Sequence, residues 1–185
     1  EVIRVINGTQ KVVVQYDENG ISNIVLDDIL IPTDRYGRML INFRGAERSF
    51  KYISAIDIYN NSFDKSEIDG KIVLIGTSAA GLFDLRATPF DSIFPGVEVH
   101  ANALDNILNK EFISKPIWAV GVDLLSIGLI VLITFALLLV PSALASFAIL
   151  VILNASVIGT HYYLMVYEGI LLNTILVLFA LNVLF

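Results

Sequence analysis

The sequence is informative first through what it lacks. It contains no cysteine, which excludes disulfide bridges and thiolate metal sites. Its only histidines are His100 and His161, so a histidine-rich metal cluster is not expected either. The formal net charge is -6, and an acidic chain without clustered Lys and Arg does not favour nucleic-acid binding. We therefore expect no metal site, no cofactor in this segment and no nucleic-acid partner.

Charge is nearly absent from the C-terminal part of the chain. All 12 Lys and Arg residues lie at or before Lys115, and beyond it only Asp123 and Glu168 are charged. The hydrophobic fraction of the whole sequence, 56%, lies above the range of an ordinary soluble domain. We therefore divide the sequence into a domain of mixed polarity, 1–115, and an apolar part, 116–185.

The apolar part contains three runs separated by short polar breaks. The runs 117–140 and 143–166 each exceed the roughly 20 apolar residues that cross a bilayer, and a third covers 170–185. Because backbone polar groups in lipid must bond within a helix, these runs predict an all-α bundle of three transmembrane helices. A single, very hydrophobic soluble helical domain is the alternative.

A few polar residues inside the apolar runs are candidate functional positions. An intramembrane acid such as Asp123 is a functional candidate by default, but its place near the start of the first run favours a structural role, in which it either reaches the headgroups or faces the bundle. We expect interhelical hydrogen bonds from the other polar side chains, which include Asn154, Thr160, His161 and Asn173. Because an ion path needs more acids than these runs contain, transport is not expected.

The domain of mixed polarity contains both strand-like and helix-like segments. The β-rich run 11–16 predicts a hairpin with the segment that follows, and 38–45 is also strand-like. The continuous apolar run 71–75 is typical of a strand that is buried on both faces. Helices are predicted near Ser54 and over 97–110. This order of segments predicts an α/β domain with a partly parallel sheet.

The loop sequence GTSAAG, 76–81, comes directly after the predicted strand. It matches neither the dinucleotide-binding nor the P-loop pattern, so nucleotide binding is not favoured. Ser78, His100 and Asp84 supply the residue types of a hydrolytic triad, but the GxSxG turn of such enzymes is missing. A membrane-anchored enzyme that uses these three residues is kept as the alternative of another class.

His100 lies on the predicted helix 97–110. On a helical projection it falls between Leu104 and Ile107 on the apolar face, while Glu98 and Asn102 belong to the polar face. We therefore expect a buried, hydrogen-bonded structural histidine that contacts the loop 82–94.

Four motifs occur in order along the chain. They are INFRG, FKYISAIDI, GKIVLIGTSAAGLFDLRATPF and PGVEVHANALDNIL, and the three apolar runs follow them. Together they resemble the second type of CHASE domain, a cyclase/histidine-kinase-associated sensory extracellular domain, over about residues 38–185. Glu1 opens no signal pattern and the last apolar run has no polar exit, so we expect a piece of a longer protein.

The resemblance implies a receptor in the bacterial cytoplasmic (inner) membrane, with 1–115 outside the cytoplasm. One span would precede the sensory domain and three would follow it, leading to a cytoplasmic effector domain of the same chain. That effector is commonly a class III adenylate or guanylate cyclase and in other members a histidine kinase or another kinase. The expected partners are the lipid bilayer, an extracytoplasmic ligand that the resemblance does not identify, and a second copy of the chain. A homodimer follows because class III cyclases build their active site between two chains.

The resemblance transfers no binding residues, and we assign no catalytic residue to this segment. Its motif positions are Gly45, Gly76, Asp84, Arg86, Thr88, Pro89, Pro95, Gly96, His100, Asn106 and Leu108. The candidates that would shape a ligand pocket or the fold are Gly76, Thr77, Ser78, Asp84, Arg86, Thr88, His100, Asn102 and Asn106.

Overall fold

The computed structural model describes residues 2–6, 8, 11–18, 20–77, 84–137 and 142–184. The chain divides into two compact units. The first unit comprises Glu1–Val12, Leu26–Ile31 and Ile41–Glu111, and the second comprises Val13–Val25, Pro32–Leu40 and Phe112–Phe185.

A short helix, α1 (Val2–Ile6), is followed by a sheet of three consecutive strands. These strands are β1 (Val12–Asp17), β2 (Gly20–Leu26) and β3 (Ile29–Pro32), in the order β1-β2-β3. They are rich in Val and Ile, whose branched side chains favour extended backbone. The hairpin predicted from the run 11–16 is therefore confirmed.

The segment 41–54 runs through the first unit without regular secondary structure. It leads into α2 (Ala55–Tyr59), which has Ser54 at its N-cap position and confirms the helix predicted there. A short 3-10 turn, Lys65–Glu67, comes next. The strand predicted over 38–45 is wrong for all but Leu40, which forms an isolated antiparallel bridge with Ile113.

The partly parallel sheet is not found among the described residues. The run 71–75, predicted as a strand that is buried on both faces, is not a strand in the structure, and Ile75 is 96% exposed. The two-residue strands β4 (Leu85–Arg86) and β5 (Phe94–Pro95) pair antiparallel. An apolar run becomes a central strand only when neighbouring strands satisfy both of its edges, and the sequence of the run does not supply those neighbours.

The helix α3 (Gly96–Asn109) confirms the one predicted over 97–110. Its start lies so close to Asp84 that a Cβ at Gly96 would collide with the carboxylate of that residue. Its end is closed by Lys110, which adopts the left-handed conformation with φ 59°. The N–H groups of Lys110 and Glu111 bond back to the carbonyls of Ile107 and Asn106, which satisfies the last carbonyls of the helix.

Three apolar helices dominate the second unit: α4 (Trp118–Leu137), α5 (Ala143–Tyr167) and α6 (Thr174–Leu184). By length and composition, α4 and α5 can cross a membrane, whereas α6 has only 11 residues. α6 packs against both longer helices, and the common core consists of Ile130, Leu150, Val177 and Leu181. The structure thus contains two helices of the predicted length, and a third span stays a prediction.

The outward faces of α4 and α5 are apolar and exposed. Leu125 on α4 is 75% exposed and Leu144 on α5 is 80% exposed. Only 22% of the most apolar stretch of α4 and 6% of that of α5 is buried. A core helix of a soluble protein is mostly buried, so these two helices are more typical of an apolar environment such as lipid.

Candidate functional site

α3 turns its polar face, not its apolar face, toward the inside of the first unit. Glu98, Asn102 and Asn106 follow one another at four-residue intervals on this face, and each is at most 2% exposed. We call these three residues the polar ladder. His100 is exposed, so the expectation of a buried structural histidine is wrong. The reason is that the irregular segment 42–52 needs hydrogen-bond partners for its backbone, which apolar side chains cannot provide.

The two asparagines of the polar ladder bind the first part of this segment. Asn106 Oδ1 accepts the N–H of Asn42 at 2.8 Å, and Asn106 Nδ2 donates to the Asn42 carbonyl at 2.9 Å. Asn102 Oδ1 accepts the N–H of Arg44 at 3.0 Å, and Asn102 Nδ2 donates to the Glu98 carbonyl at 2.8 Å. The side-chain amides therefore replace the strand neighbour that residues 42 and 44 would have in a sheet.

Glu98 binds the second part of the segment with its carboxylate. Oε2 accepts the N–H of Arg48 at 3.0 Å and the hydroxyl of Tyr52 at 2.6 Å, and Oε1 accepts the N–H of Phe50 at 3.4 Å. A buried carboxylate is stable only when hydrogen bonds or a cation offset its loss of water, and here three donors do so. Burial is the main cause that raises the pKa of Tyr52 well above its ordinary value of 10.0, and the hydrogen bond to Glu98 is the second. Tyr52 therefore stays a donor at neutral pH.

At the outer edge of the polar ladder, Arg44 forms a two-pronged ion pair with Asp105. Arg44 Nε donates to Asp105 Oδ2 at 2.6 Å, and its Nη2 group pairs with Oδ1. The guanidinium also lies 5.1 Å from the ring centre of Phe50. The hydrogen bond with Asp105 raises the pKa of Arg44. Because the Arg44 side chain is 48% exposed, this pair orients the segment more than it stabilises the unit.

A groove of about 970 Å³ opens beside the polar ladder. Its walls are formed by 48–58, 67–76 and the first turns of α3, and most of the side chains that face it are apolar. An ion pair between Lys51 Nζ and Glu67 Oε1, 2.5 Å apart, lines one wall. The groove is concave and mostly apolar, as sites for small molecules commonly are. Of the described pocket candidates from the sequence, Gly76 lines it.

The other loop candidates lie outside this groove. Asp84 forms an ion pair with Arg86 at 3.6 Å, and its carbonyl accepts the N–H of Gly96 at 2.8 Å. Thr88 closes a tight turn, because its Oγ1 accepts the N–H of Asp91 at 3.1 Å. Thr77 is exposed. These contacts shape the loop that leads into α3.

The proposed catalytic set of Ser78, His100 and Asp84 is not assembled within the described part of the chain. Ser78 lies outside the described residues, so its position is not assigned. Asp84 is engaged at the start of α3, whereas His100 points away from the interior on the exposed side of the same helix. Over the ranges that the structure describes, no three His, Cys, Asp or Glu residues could hold a metal ion.

The polar residues of the second unit meet near the start of α6. Asp123 on α4 is 5% exposed, and its Oδ1 accepts the backbone N–H of Asn173 at 3.2 Å. His161 Nδ1 on α5 lies 2.8 Å from the hydroxyl oxygen of Thr174, the first residue of α6. Further along, Asn182 Nδ2 on α6 donates to Asn154 Oδ1 on α5 at 2.9 Å. Asp123 therefore faces the neighbouring helix, which is one of the two arrangements that its sequence position allowed.

Sequence reasoning missed the roles of Glu98 and Tyr52. The four-residue spacing of Glu98, Asn102 and Asn106 was visible in the sequence and correctly placed them on one face. A helical projection, however, identifies faces without saying which of them meets the rest of the domain.

A unit of mixed polarity is thus followed along the chain by long, exposed apolar helices. The family model of the CHASE2 domain matches residues 4–139. This is well over half of the chain, so the chain belongs to the CHASE2 family, whose domain is an extracellular sensory domain of signalling receptors. The match confirms the resemblance seen in the motifs, and it begins closer to the N terminus than those motifs do. No curated protein and no solved structure matches the chain.

Proposed function

We propose that the chain is the sensory and membrane part of a bacterial receptor in the cytoplasmic membrane. Residues 1–115 lie outside the cytoplasm in this proposal, and the apolar helices pass the signal inward to an output module of the same chain. A class III adenylate cyclase that makes cAMP is the favoured output, with a histidine kinase or another kinase as the alternative. The motifs favour this assignment through the resemblance, and the exposed apolar faces of α4 and α5 support the placement in lipid.

One observation carries the proposal. The polar ladder of α3 holds the segment 42–52, and only residues 110–117 separate the end of α3 from the start of α4. A ligand that binds unequally to two arrangements of the first unit would shift the population between them. The chain connection at 110–117 would then transmit that shift to α4.

The proposal also includes three structural features of the receptor: a third membrane span, a sheet and a homodimer. The run 170–185, which contains α6, is a third span, although α6 itself is short. The partly parallel sheet predicted with the run 71–75 would form only in the receptor as a whole, because the described residues of this chain supply no neighbouring strand for that run. Two copies of the chain form a homodimer, as a class III cyclase requires, and chemical cross-linking of the receptor in its membrane tests that state.

The membrane placement is tested with single cysteines, because the chain has none of its own. Tyr59 is 83% exposed in the first unit, and Ser142 is exposed at the start of α5. We expect a membrane-impermeant maleimide to label Tyr59→Cys in intact bacteria and to label Ser142→Cys only after the membrane is opened. The reverse pattern would contradict the placement of residues 1–115 outside the cytoplasm.

The output is tested in a bacterial strain that lacks its own adenylate cyclase. The full-length protein is expected to restore cAMP in this strain. Phosphorylation of the full-length protein from ATP, without cAMP, would instead support the kinase alternative. Four glycines inserted between Lys110 and Glu111 are expected to change the output, and an unchanged output would show that the relay through 110–117 does not exist.

A further inference from the structure

The linker between α3 and α4 is an extended segment for reasons that are visible in its sequence. Lys110 ends α3 in the left-handed conformation, and Pro116 disfavours helical backbone at Lys115. Residues between these two points are therefore free to pair as a strand. Ile113 forms an antiparallel bridge with Leu40, so one edge of the linker is already used.

The other edge of the linker pairs with the turn between α5 and α6. The N–H of Ser114 donates to the Gly169 carbonyl at 2.8 Å, and the N–H of Leu171 donates to the Ser114 carbonyl at 2.9 Å. Together these bonds make a parallel bridge between Ser114 and Ile170. The linker is thus connected to two of the apolar helices. It continues along the chain to α4, and it is hydrogen-bonded to the turn that precedes α6.

Gly169 is the residue that permits this pairing. Its φ is 63°, a conformation that residues with a Cβ adopt at a cost. A Cβ at this position would also collide with the Phe112 carbonyl oxygen, which belongs to the linker backbone. Since a backbone atom cannot rotate away as a side chain does, any larger residue at 169 would separate the linker from the turn.

The start of α6 is anchored from two further directions. Asp123 on α4 accepts the N–H of Asn173, one of the amides that a helix start leaves without an intrahelical partner. His161 on α5 contacts Thr174. A helix as short as α6 depends on such contacts for its position, because short helices are marginal alone. A displacement of residues 169–171 would therefore be passed on to α6.

The geometry points to a second exit route for the signal, which rests on the proposed function. The linker residues Phe112–Ser114 and the turn residues Gly169–Leu171 form a transmission junction. A movement of the linker reaches α4 through the chain and reaches α6 through the two backbone hydrogen bonds of Ser114. α6, rather than α4, is the helix next to the output module in the receptor proposed above.

The junction is tested by cross-linking Ser114→Cys to Ile170→Cys in the whole chain in lipid nanodiscs. Directly paired residues on neighbouring strands lie within the distance that a disulfide spans. Adding Gly169→Ala is expected to slow the cross-linking by about tenfold or more, because both junction hydrogen bonds are broken. Four glycines inserted between Lys115 and Pro116 lengthen only the route to α4 and are expected to leave the rate unchanged.

Gly70→Ala is the matched control for Gly169→Ala. Gly70 has a similar φ of 67°, but a Cβ at Gly70 would meet nothing within 4 Å. This control carries the backbone strain without the collision and is expected to cross-link at the original rate. If Gly169→Ala also cross-links at the original rate, or if the insertion after Lys115 abolishes the reaction, the junction is overturned.

Amide hydrogen exchange reports whether α6 depends on the junction. Exchange at residues 170–177 is expected to rise by about tenfold in Gly169→Ala, since opening of the α6 start becomes easier. Exchange in the same residues of Gly70→Ala is expected to stay at the original rate. Unchanged exchange in Gly169→Ala would show that α6 is held without the linker and would overturn the proposal.

Two insertions in the full-length protein separate this proposal from the receptor function. Four glycines after Lys110 interrupt both routes, whereas four glycines after Lys115 interrupt only the route to α4. We expect the insertion after Lys115 to alter the output activity less than the insertion after Lys110 does. When Gly169→Ala is added to the insertion after Lys115, the two changes in output should become equal. Equal effects without that substitution would overturn the second route and leave the receptor function standing. If neither insertion changes the output, the relay through 110–117 and the second route both fail, whereas reversed maleimide labelling contradicts only the membrane placement.

Discussion

The helices α3 and α6 each pack against the centre of their own unit, yet they bury opposite kinds of side chain. α3 buries the carboxylate and amides of the polar ladder, while α6 buries Val177 and Leu181, each 1% exposed. The two helices differ in the part of the chain that they pack against. α3 meets an irregular segment whose backbone needs partners, whereas α6 meets α4 and α5, whose backbone groups are bonded within the helices.

Which side chains are buried therefore depends on the hydrogen-bonding requirements of the neighbouring surface as well as on the polarity of a helix face. In the first unit, unpaired backbone amides select polar side chains for the interior, and each such side chain then becomes costly to remove. In the second unit, packing of apolar side chains forms the common core, and a single polar side-chain contact between two helices adds only a little. The two units should therefore respond very differently to the loss of one polar group.

The largest effect is expected from Glu98→Ala. It leaves the N–H groups of Arg48 and Phe50 and the hydroxyl of Tyr52 without their acceptor, so the first unit should lose about 3 kcal/mol or more of stability. Urea unfolding, monitored by the hydrogen exchange of residues 42–52, measures this loss. His100→Ala, two positions away and exposed, is the control and should cost less than about 0.5 kcal/mol. Equal losses in the two variants would contradict the polar ladder.

A smaller loss is expected from Asn106→Ala. It removes both hydrogen bonds to the backbone of Asn42 and should cost about 2 kcal/mol in the same unfolding measurement. Asn109→Ala is the matched control, because Asn109 is exposed and its amide bonds only to Asp105. If Asn109→Ala lowered the stability of the first unit as much as Asn106→Ala does, the role of the buried amide in the polar ladder would be contradicted.

The pH dependence of the first unit should change in Tyr52→Phe. The folded pKa of Tyr52 lies above its ordinary value of 10.0, so its contribution is complete below that pH and declines as the pH rises further. Tyr52→Phe should cost about 1 kcal/mol at neutral pH and show less additional loss of stability between about pH 9 and about pH 11. Unfolding curves of both proteins across this range provide the check, and identical slopes would contradict the role assigned to the Tyr52 hydroxyl.

The smallest effect is expected from Asn182→Ala in the second unit. Its bond to Asn154 joins α6 to α5, but polar contacts between membrane helices contribute only about 0.6 kcal/mol on average. Unfolding of the chain in bicelles measures this change, with the exposed Val183→Ala as control. A loss as large as that of Asn106→Ala would mean that the second unit depends on polar bonds as much as the first does.

Local patterns in the sequence predicted the local elements well. The start of α2 at Ser54, the extent of α3 and the long apolar helices all follow from residue spacing and composition within one segment. The CHASE2 family followed from the order of four motifs. In each of these cases the determining residues lie within the element itself.

Features that depend on a partner were not predictable in the same way. The runs 38–45 and 71–75 have strand composition, but a strand also needs a neighbour to pair with, and composition does not name one. The inward face of α3 depends on the irregular backbone of 42–52, and the groove depends on three separate segments. The junction at Gly169 is visible only when the linker backbone lies beside it.

The polar ladder also has a consequence for the order of folding. Its hydrogen bonds to segment 42–52 join residues that are between 46 and 64 positions apart in the chain, with α2 and the loop before α3 in between. Segment 42–52 leaves the ribosome or a translocation channel well before Glu98 and Asn106 do. Until those residues emerge, the backbone N–H groups of the segment are hydrogen-bonded to water. Since long-range contacts of this kind slow folding, closure of the ladder should be a late and rate-limiting step in the first unit.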